Sequence, residues 1–270
     1  MAQESAERVR SPRTMRLRRV LRPRVSLGFE LAAVAAWIAL VSLVVAGRTH
    51  GTDGATHMHG TGGAVEPGGP PAGFGASGSM DLAMWTLMSF AMMLPAAVPV
   101  LEHVGTNSLR RRRQRAMATF AAVFLAVWIG YGALLLRLAP LWSPLPDEVV
   151  LASALALAAV WQLTVHKRRA LRDCHRSSPL PLSGWPAVAG AGRFGLRHGG
   201  ACFRSCWALM LVMAVASGAS GGIGMLGWMV LLTGIVTTEK FARKPRRPTH
   251  VAAAVLAAAA LMVALTFEIT

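Results

Sequence analysis

The stretch Trp207 to Thr238, WALMLVMAVASGASGGIGMLGWMVLLTGIVTT, runs for 32 residues without a charge or a proline. As one helix it would reach about 48 Å at 1.5 Å per residue, well beyond the ~30 Å hydrocarbon core of a bilayer. The glycine-rich Ser217-Gly218-Ala219-Ser220-Gly221-Gly222 at its middle offers a turn, so the stretch reads as two spans joined by a short connection. Five further apolar runs of similar length occur: Leu27 to Ala46, Met80 to Leu101, Met117 to Leu138, Val149 to Val165 and Val251 to Phe267. The expected fold is therefore all-α, a polytopic transmembrane helical bundle of about seven spans. Its composition agrees, with 54% hydrophobic and only 15% charged residues, against roughly 25% charged in ordinary soluble domains.

Charge tests the count independently. With seven spans, the N-terminal tail and the even-numbered loops share one side, and these hold 26 of the 28 Lys and Arg residues. Eight lie in the tail, five from Glu102 to Ala116, eight from His166 to Arg204 and five from Glu239 to His250. Only Arg48 and Arg137 fall opposite. The positive-inside rule then puts the N-terminus in the cytoplasm and the C-terminus outside. Fusing the two spans of Trp207 to Thr238 would move the last basic cluster to the wrong side. The net charge of +16 thus orients the protein against anionic lipid and does not argue for a nucleic-acid partner. The first run follows a basic tail as a signal peptide does, but it is of full span length. Gly47-Arg48-Thr49-His50 is a poor cleavage site, so it reads as an uncleaved anchor.

This gives a basic, disordered cytoplasmic tail at 1–26 and a single transmembrane domain at 27–269. That domain carries a flexible Gly/Pro-rich outer loop at 47–79 and a basic inner loop at 166–200.

Three cysteines provide no disulfide framework. In His198-Gly-Gly-Ala-Cys202-Phe-Arg-Ser-Cys206-Trp207, Cys202 and Cys206 are four apart and share a helix face at the cytoplasmic end of the fifth span. Two thiolates there would grip one soft metal ion, and Cys174 in the preceding loop would supply a third. Packing as small hydrophobes is the alternative. Met80, Met84, Met88 and Met92 form a thioether stripe, with Met93 beside it and Met210, Met213, Met225 and Met229 on later spans. Thioethers suit Cu(I), and they equally serve as core filler. His57 and His59 in the outer loop, near His50, form a pair able to collect a transition ion. Pro95 and Pro99 break the second helix and free carbonyls that need partners. Glu239-Lys240 ends the sixth span on the side of the cysteines, where a membrane-depth carboxylate needs a partner or a function. Glu102 and His103 would complete this inner cluster. No phosphate loop, nucleophile elbow or His-Glu-x-x-His occurs, which leans against an enzyme.

These residues carry a resemblance. Trp85-Thr-Leu-Met88-Ser-Phe-Ala91-Met92-Met93-Leu94-Pro95 with Pro99, Gln162-Leu163-Thr164 with Lys167, Leu171 and Cys174, Cys202 with Cys206-Trp207-Ala208-Leu209-Met210, and Trp228-Met229 with Glu239-Lys240 resemble a family of bacterial integral membrane proteins predicted to bind metal. That family's pattern has a cysteine four residues before the position of Cys174, where this chain has Ala170. The resemblance implies a bacterial cytoplasmic (inner) membrane protein. The expected function is to bind or move a soft transition metal, copper before others, at Cys202, Cys206, Cys174, Glu239, Met88, Met92, His57 and His59. Its partners would be the lipid bilayer, the metal ion and a second membrane protein. A non-catalytic scaffold or assembly factor, in which Met and Gly serve helix packing through Gly218, Gly221, Gly222, Gly224 and Gly227, is the alternative. A small-solute transporter is disfavoured by the few polar residues inside spans.

Overall fold

A computed structural model describes residues 26–53, 78–142, 144–175, 185–219, 221–242 and 246–269. His57 and His59 lie outside them. The described residues form eight α-helices and one short 3₁₀ turn, with no strand. The helices are α1 (Leu27–Asp53), α2 (Gly78–Thr106), α3 (Arg113–Leu138), α4 (Asp147–Leu163), α5 (Val165–Cys174), α6 (Trp185–Ala219), α7 (Gly221–Phe241) and α8 (Arg246–Ile269).

Five of them, α1, α2, α3, α6 and α8, are long and apolar enough to cross a membrane, and α4 with α5 forms a bent pair that passes the same test. The stretch Trp207 to Thr238 is divided between α6 and α7, as its length demands. The 166–200 segment, expected as a loop, is mostly helix: it contains α5 and the first half of α6. Likewise α1 runs on through Gly47 to Asp53.

Thr164 makes the bend. It is the C-cap of α4 and the N-cap of α5, with extended backbone at φ −71°, ψ 151°. Its hydroxyl donates to Trp161 O at 2.8 Å and accepts from Lys167 N at 3.2 Å, closing one helix and opening the next. The chain turns by 71°. α5 then presents Lys167, Ala170, Leu171 and Cys174 inward, the i, i+3, i+4, i+7 stripe of a one-sided helix.

α6 is the central helix and packs on α3, α4, α5 and α7. Of its most apolar window 67% is buried, against 17% for α1 and 28% for α8, which sit at the periphery. Glycine sets its approach to α3. A Cβ at Gly195 would lie 2.8 Å from Phe120 O, and one at Gly199 would lie 3.0 Å from Val127 Cγ2, so the Gly195-x-x-x-Gly199 spacing lets the backbones close. Gly227, one of the glycines expected to allow close approach, faces open space.

Aromatic side chains tie the helices through backbone carbonyls. Trp85 Nε1 donates to Trp128 O at 2.7 Å, Tyr131 OH to Trp207 O at 3.1 Å and Trp161 Nε1 to Arg204 O at 3.2 Å. Trp37 Nε1 donates to Ala91 O at 3.0 Å. Pro95 cannot donate to the carbonyl four residues back, which is that of Ala91. A carbonyl freed by proline in α2 is thus taken up by an indole of α1.

Candidate metal centre

Glu239 and Lys240 from α7, Lys167 from α5 and three cysteines meet inside the bundle. Lys167 Nζ and Glu239 Oε2 are 2.7 Å apart, and both side chains are fully buried. The neighbouring Lys240 is also buried, and its Nζ lies 2.9 Å from Cys202 Sγ. Ser205 joins the thiols: its Oγ donates to Cys202 O at 2.8 Å and lies 3.3 Å from Cys206 Sγ and 3.9 Å from Cys174 Sγ. All three cysteines are free and buried.

Each element has a reason to bring its residue here. The four-residue spacing puts Cys202 and Cys206 on one face of α6. They fall at the middle of that helix, level with Tyr131, and not at its start, because residues 185–200 are helix too. The bend at Thr164 swings Lys167 and Cys174 under the bundle. α7 ends at Phe241, and its last turn delivers Glu239 and Lys240. There His175 Nε2 lies 2.9 Å from Lys240 O, while its Nδ1 lies 2.8 Å from Leu171 O, so one imidazole fastens the C-terminal turns of α5 and α7.

Buried charge is costly unless paired. Glu239 balances Lys167, and the cysteine pair is the partner that remains beside Lys240. Among the described residues no three His, Cys, Asp or Glu side chains stand close enough to hold one ion together. What converges is a set of soft sulfur donors beside the Lys167–Glu239 pair. Thiols suit Cu(I), and the donor chemistry fits copper even though no larger ligand shell is assembled.

Other expected residues lie elsewhere. Met88, Met92 and Met93 are buried in the hydrophobic core, as are Met210, Met213, Met225 and Met229, while Met84 is 36% exposed. Glu102 Oε1 lies 3.0 Å from Ser26 Oγ at the start of α1, and His103 packs on Phe194 at 6.2 Å. Neither is seen to join the thiols. Sequence reasoning missed Lys167 and His198. The first was read as loop charge, although the apolar stripe of α5 marks it as inward-facing. The second stands one turn before Cys202, buried among Phe120, Phe124 and Phe194.

Two hollows reach this region. A cavity of about 370 Å³ is lined by Pro99, Cys174, His175, His198 and Lys240 among others, and a cleft of about 550 Å³ by Asp173, Phe194, Arg197, His198, Phe203 and Arg204 among others.

No curated protein and no solved structure matches the chain. A family model does: PpoB2, described as a copper chaperone, matches residues 82–263, about two thirds of the chain and the whole of the cluster just described. The chain belongs to the PpoB2 copper chaperone family.

Proposed function

We propose that this protein is a multi-pass protein of the bacterial cytoplasmic membrane that binds Cu(I) through Cys202 and Cys206 and passes it to a partner. The observation that carries the reading is the buried thiol pair with Lys240 against it, inside the segment that matches a copper chaperone family. One negative charge shared by the pair balances Lys240. Cu(I) then replaces a proton between the two sulfurs, and the charge of the cluster does not change. Cys174 and Glu239 stand by as further donors. His57 and His59 would collect ions on the outer side, and Met88 and Met92 serve packing first.

The seven-span topology, with the N-terminus cytoplasmic, belongs to the same proposal. It is supported by the charge asymmetry and by the cavity that joins the late part of α2 to the ends of α5 and α7 through Pro99, Val100, Cys174 and Lys240. α6 would extend past the membrane on the inner side, since its 35 residues reach about 53 Å. Fusions of alkaline phosphatase and green fluorescent protein to the C-terminus test this, and fluorescence without phosphatase activity would reject it.

The copper reading is tested by mass spectrometry of metal in detergent-purified protein, wild type beside Cys202→Ser/Cys206→Ser. About one copper per chain, lost in the double variant, is expected for a two-thiolate site. Wild type that is folded and stays metal-free after reconstitution with Cu(I) under reducing conditions would instead favour the scaffold alternative.

A further inference from the structure

His198 is 5% exposed, and its Nε2 has no hydrogen-bond partner. Buried polar atoms in native proteins are nearly always satisfied, so an orphaned imidazole nitrogen asks for a ligand. The ring is held by three phenylalanines, with centroid distances of 5.8 Å to Phe120, 5.8 Å to Phe124 and 6.3 Å to Phe194. Such a cage fixes the ring without offering its nitrogen a partner. His198 is also the residue that the cleft and the cavity share. On one side stand Arg197, Arg204 and Asp173; on the other stand Cys174 and Lys240. One helical turn further along α6 is Cys202.

We propose that His198 is a copper-transfer ligand, the point at which Cu(I) brought into the arginine-lined cleft passes to the buried thiols. The inference rests on Cys202 and Cys206 being the Cu(I) ligands. His198 is not a third ligand of the same ion, since no three such side chains are close enough among the described residues. Transfer therefore runs by successive exchange. The Cu–S bond to the carrier breaks as a Cu–Nε2 bond forms, and that bond breaks in turn as Cu–S bonds to the cysteine pair form. Copper stays Cu(I) throughout. The proton displaced from the cysteine pair leaves to the carrier's thiolate or to water. The cleft also says what the carrier is. Arg204 pairs there with Asp173 at 3.2 Å, and exposed Arg197 adds a further positive charge to the lining, an excess that disfavours a bare cation and suits a small anionic thiol complex.

The test compares His198→Met with His198→Leu. Both fill a similar volume in the apolar cage, and only methionine keeps a Cu(I) donor. Detergent-purified full-length protein is mixed with Cu(I)–glutathione under anaerobic conditions, and loading is followed by stopped flow, with final copper per chain read afterwards. The leucine variant is expected to load about tenfold or more slowly, the scale of loss seen when groups around a metal site are removed. The methionine variant should stay within about twofold of wild type, and both should reach the same final copper content. Equal rates for Leu and Met would overturn the proposal. So would a lower final copper content in the leucine variant, because His198 would then be a resident ligand. Absence of copper from wild type itself would instead remove the reading of Cys202 and Cys206 on which the proposal stands.

Discussion

Lys240 Nζ lies 2.9 Å from Cys202 Sγ, and the next residue back, Glu239, pairs at 2.7 Å with Lys167. Two cations and one carboxylate are buried together, so neutrality calls for one thiolate on the cysteine pair. If Cu(I) replaces the remaining thiol proton, each ion bound releases one proton.

Copper affinity is therefore expected to rise with pH. With one proton released, the apparent Kd falls about tenfold per pH unit, because protons compete with the metal for the ligand. Competition against a Cu(I) chelator at several pH values gives the slope, and proton release in weak buffer gives the same count. A slope near zero means that both sulfurs are already ionised, and a slope near two means that neither is. Either result rejects the single-charge balance.

The Lys167–Glu239 pair sits at zero exposure on both sides. Removing one partner from such a pair leaves an uncompensated buried charge and costs about 3–5 kcal/mol, while replacing both with apolar groups is often near neutral. Lys167→Met is expected to lower thermal stability sharply in detergent, and Lys167→Met/Glu239→Leu to regain most of the loss. If the double variant is as unstable as the single, the pair is not the source of the stability.

How much of this was legible from sequence depends on what kind of signal each residue leaves. Run length and the lack of charge between Trp207 and Thr238 foretold helices divided near Ser220. The spacing of Cys202 and Cys206 foretold a shared face, and a carboxylate at Glu239 foretold a partner. Lys167 was hidden because its burial follows from a single extended residue, Thr164, that turns α5 inward; the flanking arginines make the segment look like an ordinary inner loop. The sequence sets Cys202 at the cytoplasmic end of the fifth span, and α6 continues before it as one helix that also carries Arg193, Arg197 and Arg204, where basic composition alone suggests a loop. The methionine stripe had helical spacing, which ligation and packing predict alike, and burial in the core favours packing.

The carbonyl of Ala91 ties two distant choices together. Trp37→Phe removes its donor, and an unsatisfied buried carbonyl costs about 1–3 kcal/mol. Pro95→Ala restores the N–H that α2 lacks, so the same Trp37→Phe change should be cheaper in that background. A double-mutant cycle by thermal unfolding is expected to show positive coupling between residues 37 and 95. Strictly additive effects would mean that the indole bond does not answer the proline.

Gly130 and Gly132 are two residues apart on α3 and should respond oppositely to the same change. At Gly132 a Cβ would overlap the Trp85 indole, whose Nε1 donates to Trp128 O at 2.7 Å, whereas at Gly130 nothing lies within 4 Å. Gly132→Ala must push Trp85 off its carbonyl or α2 away from α3, and overpacking of this kind costs about 1–3 kcal/mol. Gly130→Ala meets no obstacle and gains up to about 1 kcal/mol of helix propensity. Thermal unfolding of the two single variants in the same detergent reads the contrast, and Gly132→Ala/Trp85→Leu should recover part of the Gly132→Ala loss because the smaller side chain vacates the overlap. If Gly132→Ala is as stable as Gly130→Ala, Trp85 does not rest on Gly132.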